Sequence, residues 1–159
     1  MTSPYPASLI ALVFVKKGIE EGYPVTQMKL QKMVYFAQGV HLALHKEPLI
    51  SEIFHAWKYG PVVPAIYSAY SFYGSSPITD THWAASIHED NVEKIDGDAV
   101  KTIEYTWDIL KQTNAVKLSN WTHKDGSPWS QVYVENVKET PIPNQAIQAY
   151  FETFLEPAS

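Results

Sequence analysis

Apolar residues recur at helical spacing along most of the chain, and this pattern predicts a mainly α-helical fold. The first predicted helix begins near Ala7 and ends at a glycine stop at Glu21-Gly22. Its first half is apolar on every side, so we expect this helix in the middle of a bundle. After Tyr23-Pro24, Thr26 is placed to cap a second helix, which ends before Glu47-Pro48.

The middle of the chain combines an extended segment with a third helix. Successive residues from 53 to 59 fall on alternate sides, with Ile53, His55, Trp57 and Tyr59 on one side and Phe54, Ala56 and Lys58 on the other. This alternation predicts a short strand or extended segment. Gly60-Pro61 predicts a helix start with Pro61 at the first helical position, and Gly74 is placed to close that helix in a left-handed cap. One face of this helix carries Val63, Ile66, Tyr67, Tyr70 and Tyr73.

The following stretch, residues 75–98, is polar and is expected to form a loop or a minor hairpin. Candidate strand pieces lie around Ile78 and at residues 92–95. A fourth helix is predicted to end near Asn114, and its apolar positions are Val100, Ile103, Trp107 and Leu110.

Capping residues predict where the remaining helices begin. Ser119 is placed to cap a single turn over residues 120–123, Ser127-Pro128 predicts a further helix, and a last helix should follow Pro143. Together the elements predict a mainly α fold of six or seven helices with at most a minor two- or three-stranded β element. We expect a single domain over residues 1–159 with a short N-terminal lead at 1–6.

Charge and composition narrow the class of protein. Twelve Lys and Arg against seventeen Asp and Glu give a net charge of 12 − 17 = −5, which disfavours direct binding to nucleic-acid phosphates. The chain has no apolar run of the ~20 residues needed to span a bilayer, so we expect a cytoplasmic protein without a membrane partner. The absence of cysteine excludes disulfides, thiol nucleophiles and cysteine-based zinc sites.

Signatures of catalysis are missing from the sequence. It contains no glycine-rich phosphate loop, no G-x-S-x-G, no H-E-x-x-H and no calcium-loop pattern, so we predict no catalytic residue and no cofactor. His123 with Asp125 resembles half of a catalytic pair, but the sequence places no nucleophile beside it. A structural turn is the favoured interpretation of that pair.

A histidine pair is the main candidate for metal binding. His41 and His45 stand four residues apart on the second predicted helix, a spacing that can offer two imidazoles to one ion. A third ligand would have to come from His55, His82, His88 or an acid elsewhere in the chain. Ordinary surface or hydrogen-bonded histidines are therefore favoured, and we predict no metal.

Aromatic residues make up 13% of the chain, more than core filling requires, so some are expected to face a partner. Two segments are distinctive, residues 57–64 around a Gly-Pro turn and residues 122–129 around a polar turn. The aromatic side chains of these segments either cover the core or contact a partner. On the hypothesis that they contact a partner, the predicted partner-binding residues are Trp57, Lys58, Tyr59, Pro61, His123 and Trp129.

These two segments, together with residues 29–39, resemble the Panacea antitoxin domain, a phage-associated family. The family reads K-L-Q-K-L-x-Y-x-A-Q-G in its early helix, then A-W-x-x-G-P-V-x-P-x-x-Y, and later T-H followed by P-W. This chain carries the same order of motifs, and a terminal I-x-x-Y-F pattern resembles Ile147, Tyr150 and Phe151. The motif positions that we expect to be structural are Leu30, Gln31, Tyr35, Gln38, Gly60, Pro64 and Tyr67.

The resemblance implies a mainly helical antitoxin that neutralises a cognate toxin by direct protein contact. Some members of the family instead deliver the toxin to a protease, so a protease or chaperone is a further candidate partner. Other members carry an N-terminal DNA-binding or zinc-binding module, which we do not expect here because the domain begins within the first ten residues. The rival hypotheses are a proteolytic adaptor and a metal-dependent hydrolase that uses the histidines.

Overall fold

A computed structural model describes residues 2–81, 88 and 91–155. Within these residues, seven α-helices pack around a small three-stranded antiparallel sheet, which confirms the predicted mainly α fold. The elements in chain order are α1 (Ala7–Glu21), α2 (Gln27–His45), β1 (Phe54–Trp57), β2 (Gly60–Val62), α3 (Pro64–Tyr70), a 3₁₀ turn (Ser71–Tyr73), α4 (Gly97–Leu110), α5 (Ala115–Thr122), α6 (Pro128–Val132), β3 (Pro141–Ile142) and α7 (Asn144–Glu152).

Helix α2 is the centre of the fold, because it contacts α1, α3, α4, α5, α7 and β2. Every residue from Leu30 to Ala43 except Phe36 is buried. Gly39 lets α7 approach closely, since a Cβ there would lie 2.3 Å from ring carbons of Phe151. The predicted start holds, as the Thr26 hydroxyl accepts a 3.2 Å hydrogen bond from the Lys29 N–H.

Helix α1 is buried through most of its first half, as its apolar sequence predicts, and it packs against α2 and α3. Gly22 caps its end in the left-handed conformation, with φ 80° and ψ 21°. No helix in the described part of the chain is both long enough and apolar enough to cross a bilayer.

The sheet has the strand order β2-β1-β3, and β1 is antiparallel to both neighbours. The predicted alternation is present in β1, where Phe54 and Ala56 are buried while His55 and Trp57 are half-buried. A two-residue turn, Lys58-Tyr59, joins β1 to β2. The short β3 was not predicted, because two residues are too few to show a period.

The predicted helix start at Pro61 was wrong. Pro61 lies in β2 opposite Ala56, and the helix begins at Pro64 instead. Both prolines occupy positions that tolerate a missing N–H, an edge strand for Pro61 and a first helical turn for Pro64. Gly74 has positive φ as expected, but its ψ of −124° is not left-handed helical, and it closes a 3₁₀ turn.

The predicted strand pieces in residues 75–98 were wrong where the structure describes them. Ile78 is buried in an irregular segment, and its N–H donates a 2.8 Å hydrogen bond to the Val25 carbonyl. Asn91 and Val92 have helical backbone conformation. The parts of the loop prediction that fall on residues 82–87 and 89–90 lie outside the described residues.

The boundary between the fourth and fifth helices was also misplaced. Helix α4 ends at Leu110, and Asn114 caps α5 by accepting a 2.8 Å hydrogen bond from the Lys117 N–H. The predicted single turn after Ser119 is therefore the second half of a longer helix, and Ser119 is not a cap. Ser127 does cap α6 as predicted, with Pro128 at the first helical position.

Candidate functional site

The turn between β1 and β2 is held by side chains from α5 and α6. Three consecutive carbonyl oxygens of the turn are involved. The Trp129 indole N–H donates to the Trp57 oxygen at 2.6 Å, and the Ser119 hydroxyl donates to the Tyr59 oxygen at 2.8 Å. His123 Nε2 lies 2.8 Å from the Lys58 oxygen between them. Side chains of Ser119, His123 and Trp129 thus fix the backbone of the turn, and the side chains of the turn residues themselves are not used in these bonds.

His123 bridges the turn to helix α5. Its Nδ1 lies 2.5 Å from the Ser119 oxygen, so both ring nitrogens face carbonyl groups that can only accept hydrogen bonds. The neutral ring can donate to one of these carbonyls at a time, whereas the protonated ring can donate to both. The ring also lies edge-on to Trp129, with 4.1 Å between centroids.

A pocket of about 570 Å³ opens in front of the same turn. We call it the hairpin pocket. Its walls come from the start of α2, from the hairpin, from Tyr67 of α3 and from the segment 133–138 that follows α6. The lining residues are Gln27, Met28, Gln31, Lys32, Trp57, Lys58, Tyr59, Val62, Tyr67, Tyr133, Glu135, Asn136, Val137 and Lys138.

The sequence-predicted partner residues therefore divide into two groups. Trp57, Lys58 and Tyr59 line the hairpin pocket. His123 and Trp129 are half-buried and support the turn from α5 and α6. Pro61 is buried in β2 and contributes its carbonyl oxygen, which accepts a hydrogen bond from a lysine of α2.

Aromatic rings form one side of the pocket. Trp57 packs edge-on to Tyr67 at 5.1 Å between centroids, and its indole N–H donates to the Lys138 oxygen at 2.8 Å. The ammonium of Lys138 lies 5.3 Å from the centre of the Trp57 ring, within range of a cation–π attraction. Tyr59 is 60% exposed and Tyr67 is 43% exposed. The wall is therefore ordered by its own contacts and still presents two tyrosines to solvent.

Lys32 forms the floor of the pocket. It is only 3% exposed, and its ammonium donates a 3.2 Å hydrogen bond to the Pro61 oxygen. Burial lowers the pKa of Lys32 from 10.5 to about 7. Gly60 provides the space, because a Cβ there would lie 2.7 Å from Lys32 Cε, and its φ of 119° favours glycine.

Charge is unevenly distributed around the hairpin pocket. Its lining includes three lysines, Lys32, Lys58 and Lys138, and one acid, Glu135. Within the described part of the chain, no carboxylate lies within ion-pair distance of Lys32. The pocket is a positive region on a chain whose net charge is −5.

Two buried glutamines of α2 form hydrogen bonds with the backbone of neighbouring segments, Gln31 beside the pocket and Gln38 in the second half of the helix. Gln31 accepts from the Val63 N–H at 2.9 Å and donates to the Val63 oxygen at 3.2 Å. Gln38, two turns later, accepts from the N–H groups of Leu49 and Ile50 at 2.7 and 3.0 Å. Gln31 thus pairs with Val63 as a neighbouring strand would, and Gln38 provides the acceptor for two consecutive N–H groups, so both motif positions have a structural explanation.

The remaining motif positions lie in the core or at an element boundary. Leu30 and Tyr35 are buried, and Tyr35 packs edge-on to Phe54 at 5.3 Å and to Phe151 at 5.8 Å. The Tyr35 hydroxyl has no hydrogen-bond partner among the described residues, and burial raises its pKa. Pro64 begins α3.

Both histidines of the pair on α2 contact the start of α4. His41 Nδ1 lies 2.8 Å from the Thr102 hydroxyl, and the His45 ring lies 3.8 Å from an Asp98 oxygen. Burial is the largest cause that lowers the pKa of His41, and the neighbouring His45 adds to it. No group of three or more metal-binding side chains occurs in the part of the chain that the structure describes, while His82 lies outside it.

Sequence reasoning missed two of the pocket's cations. Lys32 belongs to the K-L-Q-K motif, but nothing in the sequence marks it as buried, because Gly60 and Pro61 reach it only through the tertiary fold. Lys138 gave no signal, because it lies in an irregular segment that reaches the pocket only through the tertiary fold.

Comparisons with known proteins agree on one family. The family described as "Antitoxin SocA-like, Panacea domain" matches residues 30–130. The chain is also 28% identical over 134 residues to Antitoxin SocA of Caulobacter vibrioides (strain NA1000 / CB15N), covering 79% of this chain and 69% of that protein. No solved structure matches.

Proposed function

Since the chain belongs to the SocA-like Panacea domain family, we propose that it is a cytoplasmic antitoxin that neutralises a toxin by direct, stoichiometric binding. The family similarity supports an antitoxin role and suggests a non-enzymatic one. We assign the binding surface to the hairpin pocket and its exposed aromatic rim. This surface contains Trp57, Lys58 and Tyr59, three of the residues that the sequence alone nominates.

The observation that carries the assignment is the rigid support of an exposed aromatic turn. Three carbonyls of the turn are fixed by Ser119, His123 and Trp129, yet Tyr59 remains 60% exposed. A surface that is ordered before binding loses little conformational entropy in the complex. Tyrosine and tryptophan are also the side chains that dominate binding energy at protein interfaces. The turn therefore combines a fixed backbone with an exposed tyrosine, as expected of a residue that contributes strongly to binding a protein partner.

Co-expression with the protein encoded by the adjacent reading frame, the candidate toxin, tests this proposal. We expect the double variant Tyr59→Ala and Tyr67→Ala to lose growth rescue and to bind the toxin at least about tenfold more weakly, because two central aromatics are removed. Phe72→Ala is the matched control. Phe72 is 68% exposed and does not line the pocket, so its variant should rescue growth normally.

Growth rescue, toxin pull-down and the toxin level are measured together. Neutralisation by binding predicts that the toxin persists in a complex with the chain. A toxin level that falls on expression would indicate delivery to a protease instead. Full rescue and unchanged affinity in a folded double variant would show that the hairpin pocket is not part of the interface.

A further inference from the structure

Lys32 is a buried cation whose hydrogen-bonding capacity is mostly unused. An ammonium group can donate three hydrogen bonds, and among the described residues this one has a single acceptor, the Pro61 oxygen. Burying a charge without an opposite charge is unfavourable, and Lys32 has no carboxylate in range among the described residues. Gln31, the neighbouring residue, by contrast uses both its amide nitrogen and its amide oxygen on the Val63 backbone.

The surroundings of Lys32 favour an anion from outside the chain. Lys32 lines an open pocket of about 570 Å³, so a ligand group can reach the floor. Lys58 and Lys138 add positive charge to the walls, and Glu135 is the acid among the lining residues. The positive pocket stands out because the chain as a whole is acidic, at −5. Association with a negatively charged group is thus directed to this place.

The rim indicates what kind of molecule carries the anion. Tyr59 and Tyr67 are exposed beside the pocket and would stay exposed if a small free acid occupied only the floor. A polypeptide segment can place one side chain on the floor and cover both tyrosines with its neighbours. Tyrosine is among the side chains that contribute most to binding energy at protein interfaces, so two exposed tyrosines favour a polypeptide ligand.

We propose that the hairpin pocket binds an acidic segment of the partner protein, in which an Asp or Glu carboxylate pairs with the Lys32 ammonium. This inference rests on the proposed antitoxin function and names the chemistry by which the toxin is recognised. Residues beside the carboxylate pack against Tyr59 and Tyr67. The pair gains strength from the low dielectric of the pocket floor.

Binding is then coupled to the protonation of Lys32. The free chain holds this lysine with a pKa of about 7, and a bound carboxylate raises that pKa because it favours the charged form. Affinity should fall as the pH rises above about 7, since the neutral amine of Lys32 must take up a proton before it can pair with the carboxylate. Other titratable groups near the pocket are Lys58 and Tyr59 of the hairpin, Tyr67 of α3, His123 after α5, and Tyr133, Glu135 and Lys138 after α6. The Lys32 signal must therefore be observed directly.

The test uses the full chain, with its lysines isotope-labelled, and two capped hexapeptides that differ only by Glu or Gln at one position. Both peptides carry the same leucine and serine background. At about pH 6 we expect the Glu peptide to bind about tenfold more tightly than the Gln peptide and to shift the Lys32 side-chain resonance. The preference should shrink at about pH 9. Acetate, a small carboxylate, should bind far more weakly than the Glu peptide because it leaves the rim uncovered.

Two variants assign the effect to Lys32. Lys32→Met should abolish the preference for Glu over Gln, whereas Lys117→Met, which removes an exposed lysine of α5, should keep it. Amide spectra of both variants show whether the fold is retained. Equal affinity for the two peptides, no saturable binding, or a preference that survives in Lys32→Met would overturn the proposal.

The peptide test does not depend on the toxin, so the two proposals can fail separately. If the chain does not neutralise the adjacent toxin but the Glu peptide binds through Lys32, the antitoxin function fails and the carboxylate site stands. If neutralisation holds and the toxin binds Lys32→Met with unchanged affinity, the function stands and the carboxylate site is rejected.

Discussion

Two buried polar side chains of helix α2, Gln38 and Lys32, are paired to different extents. Towards the end of the helix, Gln38 uses its oxygen on two backbone N–H groups and donates to Asn144 at 3.3 Å. Near the start, Lys32 makes one hydrogen bond beneath an open pocket. The first arrangement resembles ordinary core architecture, in which buried polar atoms are paired. The second leaves a buried cation with one hydrogen bond beside an open pocket, as the proposed binding site requires.

Replacement of Gln38 should have the largest effect on stability. Gln38→Met keeps most of the volume but leaves the N–H groups of Leu49 and Ile50 without their acceptor. We expect a loss of about 3 kcal/mol in the free energy of unfolding, because each orphaned buried group costs about 1–3 kcal/mol. Chemical denaturation measures this loss.

The exposed Gln145 on α7 provides the control for that measurement. Gln145→Met should change the free energy of unfolding by less than about 0.5 kcal/mol. A Gln38→Met variant as stable as this control would show that the end of α2 does not depend on the paired amide.

Replacement of Lys32 should have a smaller effect of opposite sign that depends on pH. In the folded chain burial lowers the pKa of Lys32 to about 7, so between about pH 7 and 10.5 the unfolded chain binds the extra proton. Wild-type stability therefore gains from this group as the pH rises through that window. Below about pH 7 both states are protonated and the cost of the buried charge is fully present.

Lys32→Met removes that cost, so the variant should gain most at low pH. We expect its stability relative to wild type to be about 2 kcal/mol more favourable at about pH 6 than at about pH 9. Denaturant unfolding at the two pH values measures the difference, with Lys117→Met as the control for loss of an exposed lysine. A difference that does not change with pH would mean that Lys32 keeps an ordinary environment in the folded chain.

Much of the fold was predictable from local signals. Apolar periodicity located the long helices, and the cap at Thr26 and the Ser127-Pro128 start were visible directly. The errors arose where one residue type suits two structures. Pro61 suits a helix start or an edge strand, and the pairing of β2 with β1 decides between them. Asn114 suits a helix end or a helix start, and its bond to the Lys117 N–H decides.

The candidate site was predictable only in part. The aromatic content of residues 57–64 singled out this segment, although no hairpin was predicted there, and the structure places Trp57, Lys58 and Tyr59 on a pocket. Lys32 was not identified, because a lysine on a helix is normally solvated and only the approach of Gly60 and Pro61 reveals its burial. The contribution of residues 133–138 depends on tertiary contacts that have no periodic signal.

Hydrogen exchange on the complex with the proposed toxin partner is the sharpest test of the hairpin pocket as the binding surface. We expect toxin binding to slow exchange at the hairpin turn, residues 57–60, and in the segment 133–138 that lines the same pocket. Slower exchange confined to α4 and α7, with the turn and the segment unchanged, would contradict it.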